Sequence, residues 1–358
     1  MPETQESEWG RTMSQDKPVR VRPPSLTDVA RLGGVSVSTA ARVLRDDETR
    51  VSAELAERVR LAAVQIGYVP NIVARGLRRG RLGSVGLIVG DILDPYFGEI
   101  AESVTIEANA YSMLAMVSNM QRDRRLEIRH AQSLWQYQVS GLILAAGASI
   151  EAEERDELTI LLNRIRQSGT VVVALAPQTA AIPTFSVDNR AVGDMIASRL
   201  LELGHRRIGV VGDLHNLTYR ERLTGIEAAL ARVGVIPAIA HGEYTLQAAS
   251  SGTDQLLSAM PDVTAIVGAS DRVAQGVARR LEELGRRIPD DVAIVGIGNT
   301  EYAHMRMPSL ATVDVKLAES GRAAVTYIAS QTGKPVDPGP MTLKAEFVEG
   351  GTLGPAKS

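Results

Sequence analysis

SLTDVARLGGVSVSTAARVL, residues 25–44, is the stretch from which the rest of the chain is best read. Ser25 and Asp28 have the S-x-x-D spacing of a capping box, which predicts a helix over 26–32. Gly33 and Gly34 then allow the chain to reverse after a helix C-terminus, because glycine enters the left-handed region without steric cost. Ser36 can cap a second helix reaching Leu44, with Val35 packed in the turn, and Val29, Ala30, Val35, Ala40, Val43 and Leu44 can share one small core. Val37, Ser38, Thr39 and Arg42 are left at the start and on the outer face of that second helix. Those are the positions from which a helix-turn-helix reads base edges in a major groove. A third helix is expected after Ser52, with Ala56, Val59, Ala63 and Ile66 at helical spacing until Gly67 stops it.

The charge distribution points the same way. The net charge of −3 conceals a basic head: residues 17–81 carry 13 Lys/Arg against 6 Asp/Glu, a balance of +7, whereas residues 82–358 carry 25 against 32, a balance of −7. A basic head on an acidic body concentrates the phosphate-seeking surface in one place. Just beyond the third helix a second short run, NIVARGL at 71–77, follows Pro70. Asn71 can cap it, but two turns fall short of the roughly 12–15 residues at which an isolated helix holds in water. Gly76 weakens it by about 1 kcal/mol relative to alanine. Such a segment is expected to order only against a partner.

From residue 83 onward short apolar runs alternate with helical stretches, at 85–89, 114–117, 141–145, 171–175, 208–211, 265–267 and 292–297. Near-continuous apolar strands separated by amphipathic helices predict buried parallel sheets flanked by helices. Ligands of such folds sit beyond the carboxyl ends of the strands. The residues that follow the runs therefore become candidates: Asp94, Tyr96 and Phe97, then Asn119 with residues 121–123, then Asp188, and in the second half Arg222, Tyr244, Ser270, Asp271 and Asn299. Aromatic rings beside arginine, amide and carboxylate groups suit a small polar ligand with an apolar face.

The stretches LTDVARLGGVSVSTAARVL (26–44), RVS (50–52), GYVPN (67–71) and ARGLRRGR (74–81) resemble the lactose-repressor family of bacterial transcription regulators, and GLIVGDILDPYF, ELGHRRIGVVGD (202–213) and RLTGIEAAL (222–230) extend the likeness through the body. The resemblance implies an all-α helix-turn-helix domain with a hinge helix, joined to an α/β body of two parallel-sheet lobes like that of periplasmic binding proteins. It implies double-stranded operator DNA and a sugar, polyol or nucleoside-like effector as partners, a homodimer, a cytoplasmic setting, and no cofactor or metal. By the same resemblance Val37, Ser38 and Arg42 face bases; Thr27, Thr39 and Arg50 belong to the DNA-contacting set; and Asn71, Ala74, Arg75, Leu77 and Arg78 form the hinge segment, with Leu77 wedging a base step. Tyr96 and Phe97 would stack on the effector and Arg222 would donate to it. Three departures stand out. Ala41 replaces a usual serine, removing a hydroxyl that could meet a phosphate; Gly298-Asn299 replaces an Asp pair; and Ser270 replaces asparagine before Asp271. The last two argue for a ligand less hydroxylated than a free hexose, or differently oriented.

The expected organisation is a disordered tail (1–23), the helix-turn-helix domain (24–69), a hinge and linker (70–82) and the effector and dimerisation body (83–358). Within the body, lobe one is expected at about 83–178 and 312–336 and lobe two at about 186–308 and 341–350. Rival classes are poorly supported. The first strand-to-helix turn lacks G-x-G-x-x-G, no G-x-x-x-x-G-K-[ST] occurs, the five histidines lack metal spacing, no serine elbow is present, and zero cysteines exclude thiolate chemistry. An enzyme is therefore not expected. A transport-type binding protein is disfavoured by the basic head and by the polar N-terminal segment, which does not read as a secretion signal. An effector-independent regulator is the other alternative.

Overall fold

The computed structural model describes residues 22–44, 51–69, 82–333, 339 and 341–357. The chain divides into two compact units, Met1–Arg75 and Gly76–Ser358. In the first unit, α1 (Leu26–Gly33), α2 (Val37–Val43) and α3 (Ala53–Gln65) follow the capping signals. The Ser25 hydroxyl accepts from the Asp28 amide at 3.3 Å, and the Asp28 carboxylate accepts from the Ser25 amide at 3.0 Å. Gly34 ends α1 at φ +62°, and the Arg58 guanidinium donates to the Gly33 carbonyl at 2.8 Å, tying the turn to α3. Val29, Ala30, Ala40, Val43, Ala56, Val59, Ala62 and Ala63 form the core, with Val35, Leu44 and Ile66 packed at its edge.

The second unit contains two four-stranded parallel sheets of the same order. The first, β2-β1-β3-β4, is made by β1 (Leu82–Val89), β2 (Leu114–Asn119), β3 (Val139–Leu144) and β4 (Val171–Ala174). Its crossover helices are α4 (Pro95–Ala110), α5 (Arg124–Gln136) and α6 (Ala152–Gln167). The second, β7-β6-β8-β9, uses β6 (Ile208–Gly212), β7 (Ala238–His241), β8 (Ala265–Gly268) and β9 (Ala293–Val295). Its helices are α7 (Asn189–Glu202), α8 (Leu217–Ala231), α9 (Leu246–Ala259), α10 (Asp271–Glu283) and the short α11 (Glu301–His304). In each sheet the strand order reverses between the first strand and its two neighbours, the switch point at which such sheets open a crevice.

The chain passes between the sheets more than once. After β4 it runs through β5 (Ser186–Val187) into α7; after β10 (Thr312–Asp314) it returns to α12 (Leu317–Gln331), which packs on α4. The tail then gives β11 (Thr342–Leu343), parallel to β5, and β12 (Glu346–Val348), antiparallel to β10. Beyond β12, Thr352 is sewn into the second lobe: its carbonyl accepts from the Ile294 amide at 2.9 Å, and its hydroxyl accepts from the Ala311 amide at 2.9 Å. His205 holds the same tail, with Nε2 at 2.9 Å from the Gly354 carbonyl and Nδ1 at 3.0 Å from the Thr264 hydroxyl. Burial pushes this imidazole below its ordinary value, more strongly than the Gly354 carbonyl raises it. The expected apolar runs at 85–89, 114–117, 141–145, 171–175, 208–211, 265–267 and 292–297 all fall on these strands or their immediate ends. β7, β5, β10, β11 and β12 were not among them; each has two to four residues, too few to show a period.

Candidate effector cleft and nucleic-acid interface

In the first unit the Ser36 hydroxyl accepts from the Thr39 amide at 3.1 Å and fixes the start of α2. That cap turns Val37 and Ser38 outward; Val37 is 44% exposed, a large apolar side chain left in solvent at a helix N-terminus. Thr39 and Arg42 are half-buried on the same helix, and Thr27 is exposed at the first turn of α1. Ala41 lies on the same helix. It keeps 8% of its accessible surface and lies outside the core cluster formed by its neighbours Ala40 and Val43. Arg50, Asn71, Ala74, Arg75, Leu77 and Arg78 lie outside the described residues.

In the second unit the loops that follow β1, β2, β3, β4, β6, β7 and β8 line a cavity of about 340 Å³ between the two sheets. Its walls include Asp94, Tyr96 and Phe97 after β1; Arg122 after β2; Gly147 and Ser149 after β3; Asp213, Asn216 and Thr218 after β6; and Arg222, Tyr244 and Ser270. Arg222 is placed by an unusually close helix crossing. A Cβ on Gly193 of α7 would overlap the Arg222 carbonyl, and one on Gly225 of α8 would overlap the Arg190 carbonyl, so glycine at both positions brings the backbones together. The buried guanidinium then donates from Nε to Asn189 Oδ1 at 2.9 Å and from Nη1 to the Ala269 carbonyl at 3.0 Å. Two donors are fixed by the fold, and the group faces the cavity already oriented. Tyr96 and Phe97 meet edge to face at 5.2 Å, and the Arg122 guanidinium lies 4.7 Å from the Tyr244 ring centroid.

Both rims of the cavity are bridged by contacts between the sheets. On one, the Ile150 amide donates to the His215 carbonyl at 3.1 Å, the Leu217 amide to the Ala148 carbonyl at 3.0 Å, and Glu151 Oε1 lies 2.9 Å from His215 Nδ1. On the other, Arg272 Nη1 donates to Asp91 Oδ2 at 2.8 Å. Burial raises the Asp94 carboxyl above its ordinary range and outweighs the Arg122 charge beside it. Burial also pushes the Tyr244 phenol up to about 12, against the lowering effect of Arg222 and Arg122. The cavity thus presents the neutral Tyr244 phenol, an oriented arginine and partly shielded carboxylates.

Of the residues picked from sequence, Asp94, Tyr96, Phe97, Arg222, Tyr244 and Ser270 line this cavity together. Four others do not. Asn119 Oδ1 accepts from the Ile92 and Gln121 amides and shapes the loop after β2. Asp188 caps α7 through the Arg190 and Ala191 amides. Asp271 is buried and accepts from the Thr300 amide at 2.7 Å, the Thr300 hydroxyl at 2.9 Å and the Thr312 hydroxyl at 2.5 Å. Asn299, at φ +55°, donates its amide to Thr312. The Asn119, Asp188 and Asp271 side chains are committed to the loops, whereas Asn299 is held through its backbone amide and its buried Oδ1 makes no hydrogen bond among the described residues. Sequence reasoning passed over Arg122, Arg124, Ser149, Glu151, Asp213, His215, Asn216 and Thr218 as individual residues, although 121–123 was flagged as a stretch. The signal was position: Asp213, His215, Asn216 and Thr218 immediately follow the apolar run at 208–211.

A capped helix pair with an exposed reading helix, coupled in one chain to a two-lobed parallel α/β body with a lined cleft, defines a ligand-responsive DNA-binding regulator. Residues 25–71 match the family described as bacterial regulatory proteins, lacI family, and residues 197–353 match the periplasmic binding protein-like domain. The ribose operon repressor of Halalkalibacterium halodurans is 30% identical over 316 residues, covering 87% of this chain and 92% of that one. The HTH-type transcriptional repressor CytR of Escherichia coli (strain K12) is 28% identical over 334 residues, covering 90% and 94%. The solved lac repressor dimer bound to operator and the anti-inducer ONPF superposes with a TM-score of 0.78 at 25% identity, covering 92% of this chain and 99% of that one. The chain belongs to the lacI family of bacterial regulatory proteins. It is a DNA-binding regulator with an effector-binding domain, and not an enzyme.

Proposed function

We propose that the chain is a transcriptional repressor acting in the cytoplasm as a homodimer on a palindromic operator, under control of a small molecule held between the two lobes. One reading helix spans only a few base pairs, and paired heads on a two-fold axis match an inverted repeat. In this reading Val37, Ser38 and Arg42 contact base edges, Thr27, Thr39 and Arg50 hold the backbone, and Asn71, Ala74, Arg75, Leu77 and Arg78 engage the minor groove as paired hinges. The proposed division of labour is DNA reading by residues 24–69, coupling by 70–82, and effector binding and dimerisation by 83–358. The effector is a sugar, polyol or nucleoside-like molecule contacted by Asp94, Tyr96, Phe97, Arg222, Tyr244 and Ser270. Asn119, Asp188, Asp271 and Asn299 support its loops without touching it. Effector binding changes the relation of the lobes and hence the cost of ordering two hinges together, a coupling typically worth about 1–3 kcal/mol.

The observation that carries the reading is the outward-facing start of α2: a fully capped helix spends its exposed N-terminal positions on Val37 and Ser38, with Arg42 on the helix one turn further on. The experiment is an unbiased selection of duplex DNA from a random pool with the full chain, repeated with Arg42→Ala. The parent is expected to enrich an inverted repeat. The variant should lose about 1–3 kcal/mol of discrimination at one symmetric base pair, as expected for a lost bidentate contact to guanine. An enriched site without two-fold symmetry would refute the dimeric reading, and an unchanged motif with Arg42→Ala would remove Arg42 from base contact.

A further inference from the structure

The loops after β1 and β2 carry Asp91, Asp94 and Arg122; all three belong to the first lobe. Arg272 sits in the first turn of α10, in the second lobe. A cation in the first turn of a helix opposes the positive end of the backbone dipole, and the Asp271 carboxylate of the same turn is taken up by Thr300 and Thr312. The carboxylates that pair with Arg272 come from across the cleft. Arg272 Nη1 lies 2.8 Å from Asp91 Oδ2 and 3.9 Å from Asp94 Oδ2, while Arg122 Nη2 lies 2.8 Å from Asp94 Oδ2 and its Nε 4.0 Å from Asp91 Oδ2. The four side chains retain between 4% and 27% of their accessible surface, so water screens the group only partly. The Nε atoms of both arginines are buried and make no hydrogen bond among the described residues, which leaves the carboxylates as what orients the two guanidinium groups. Arg122 also reaches over the second lobe's Tyr244 ring, a second attachment across the same gap.

We propose that Asp91, Asp94, Arg122 and Arg272 form an ionic clasp that favours the closed arrangement of the two lobes. Two cations and two anions alternate in the group, so closing it brings opposite charges together and leaves no net charge in the rim. Asp94 and Arg122 also line the cavity, and an effector that draws on either one acts on the clasp directly. Closure then draws on charges the protein itself supplies, and the effector adjusts that bias in addition to bridging the lobes. The inference stands on the geometry between the lobes and does not depend on the DNA reading.

The chain has no cysteine, so spin labels can be placed at Arg125→Cys in the first lobe and Glu243→Cys in the second, both exposed, with no background labelling. Pulsed dipolar spectroscopy on the full, ligand-free chain should give one dominant interlobe distance. Arg272→Gln should move the closed-to-open ratio by about tenfold, seen as a second, shifted population, because the half-buried Asp91 loses its 2.8 Å ion-pair partner. Arg272→Lys should retain most of the parent distribution. Asp91→Asn keeps an acceptor for the Leu93 amide that Asp91 now binds, breaks the same ion pair from the other lobe, and should reproduce the Arg272→Gln result should the latter fold poorly. Raising salt from about 0.1 to about 1 M, which shortens the screening length from about 10 to about 3 Å, should shift the parent in the same direction. Identical distributions for parent, Arg272→Gln and Asp91→Asn would overturn the clasp, as would a ligand-free parent whose lobes are already apart.

Discussion

Adding one methyl group at Gly147 tests whether the body closes by direct backbone contact between its lobes. Gly147 follows β3 in the first lobe, and a Cβ there would overlap the Thr218 hydroxyl and stand 3.1 Å from Asn216 Oδ1 and 3.2 Å from the Thr218 amide. All three of those atoms belong to the start of α8 in the second lobe, and Asn216 is fixed because its side chain caps that helix. The Thr218 hydroxyl can rotate away, but the amide and the capping carboxamide cannot, so the lobes must separate by a few tenths of an ångström or more. Overpacking of a closed contact by one methylene typically costs about 1–3 kcal/mol. Here nearly all of it falls on the closed state, because none of the three nearest neighbours lies in the lobe that carries Gly147. The closed-to-open ratio should therefore fall by about 5- to 150-fold in Gly147→Ala. The Arg125/Glu243 spin-label pair reads that ratio, and urea unfolding of the same sample reports whether either lobe is weakened. Thr218→Ala in the same chain should restore part of the closed population, since it removes the overlapping atom and leaves the two at 3.1 and 3.2 Å. An unchanged distance distribution in Gly147→Ala would refute the contact and the closed geometry built on it. A loss of lobe stability without lobe separation would show that the methyl group is absorbed within the first lobe.

Two further substitutions test the loops behind the cleft. Gly298 adopts φ +142°, and a Cβ there would stand 3.0 Å from Asp271 Oδ2, so Gly298→Asp should lower body stability by about 1–3 kcal/mol in urea unfolding through backbone strain and like-charge crowding, whatever it does for a hydroxylated ligand; an unchanged midpoint would show that the loop relaxes. Burial holds the His205 imidazole below its ordinary value, so it stays neutral in the fold while the unfolded chain takes up a proton first. Its contribution is therefore complete above that value and falls as pH drops below it; Gdm or urea midpoints from about pH 8 to about pH 5 should show a decline that His205→Gln reduces, and an equal slope in both proteins would assign the decline elsewhere.

Much of this molecule is written locally. The capping box at Ser25 and Asp28, the left-handed turn at Gly34 and the Ser36 and Ser52 caps lie within a few residues of what they stabilise, so the three helices and the outward face of α2 follow from sequence spacing. The buried parallel strands are equally legible, because a strand covered on both faces must be apolar at successive positions. The short strands β5, β7 and β10 to β12 carry no such run and depend on a neighbour already in place. The candidate cleft was half visible for a related reason. Asp and Asn at strand-to-helix junctions serve equally as helix caps and as ligand groups, and local sequence does not separate the two uses. Asp94 both caps α4 and lines the cavity, Asp188 only caps α7, and Asp271 turns inward to two threonines. Which carboxylate meets the cleft depends on the direction each loop takes after its strand. The pairing of Asp91 with Arg272 spans 181 positions and exists only because two separately wound sheets present their strand ends to each other. Sequence alone thus determined the two kinds of domain and the reading helix, since capping and apolar periodicity act over a few residues. The tertiary structure alone decided which charges share the cleft, since electrostatic partners are chosen by distance in space.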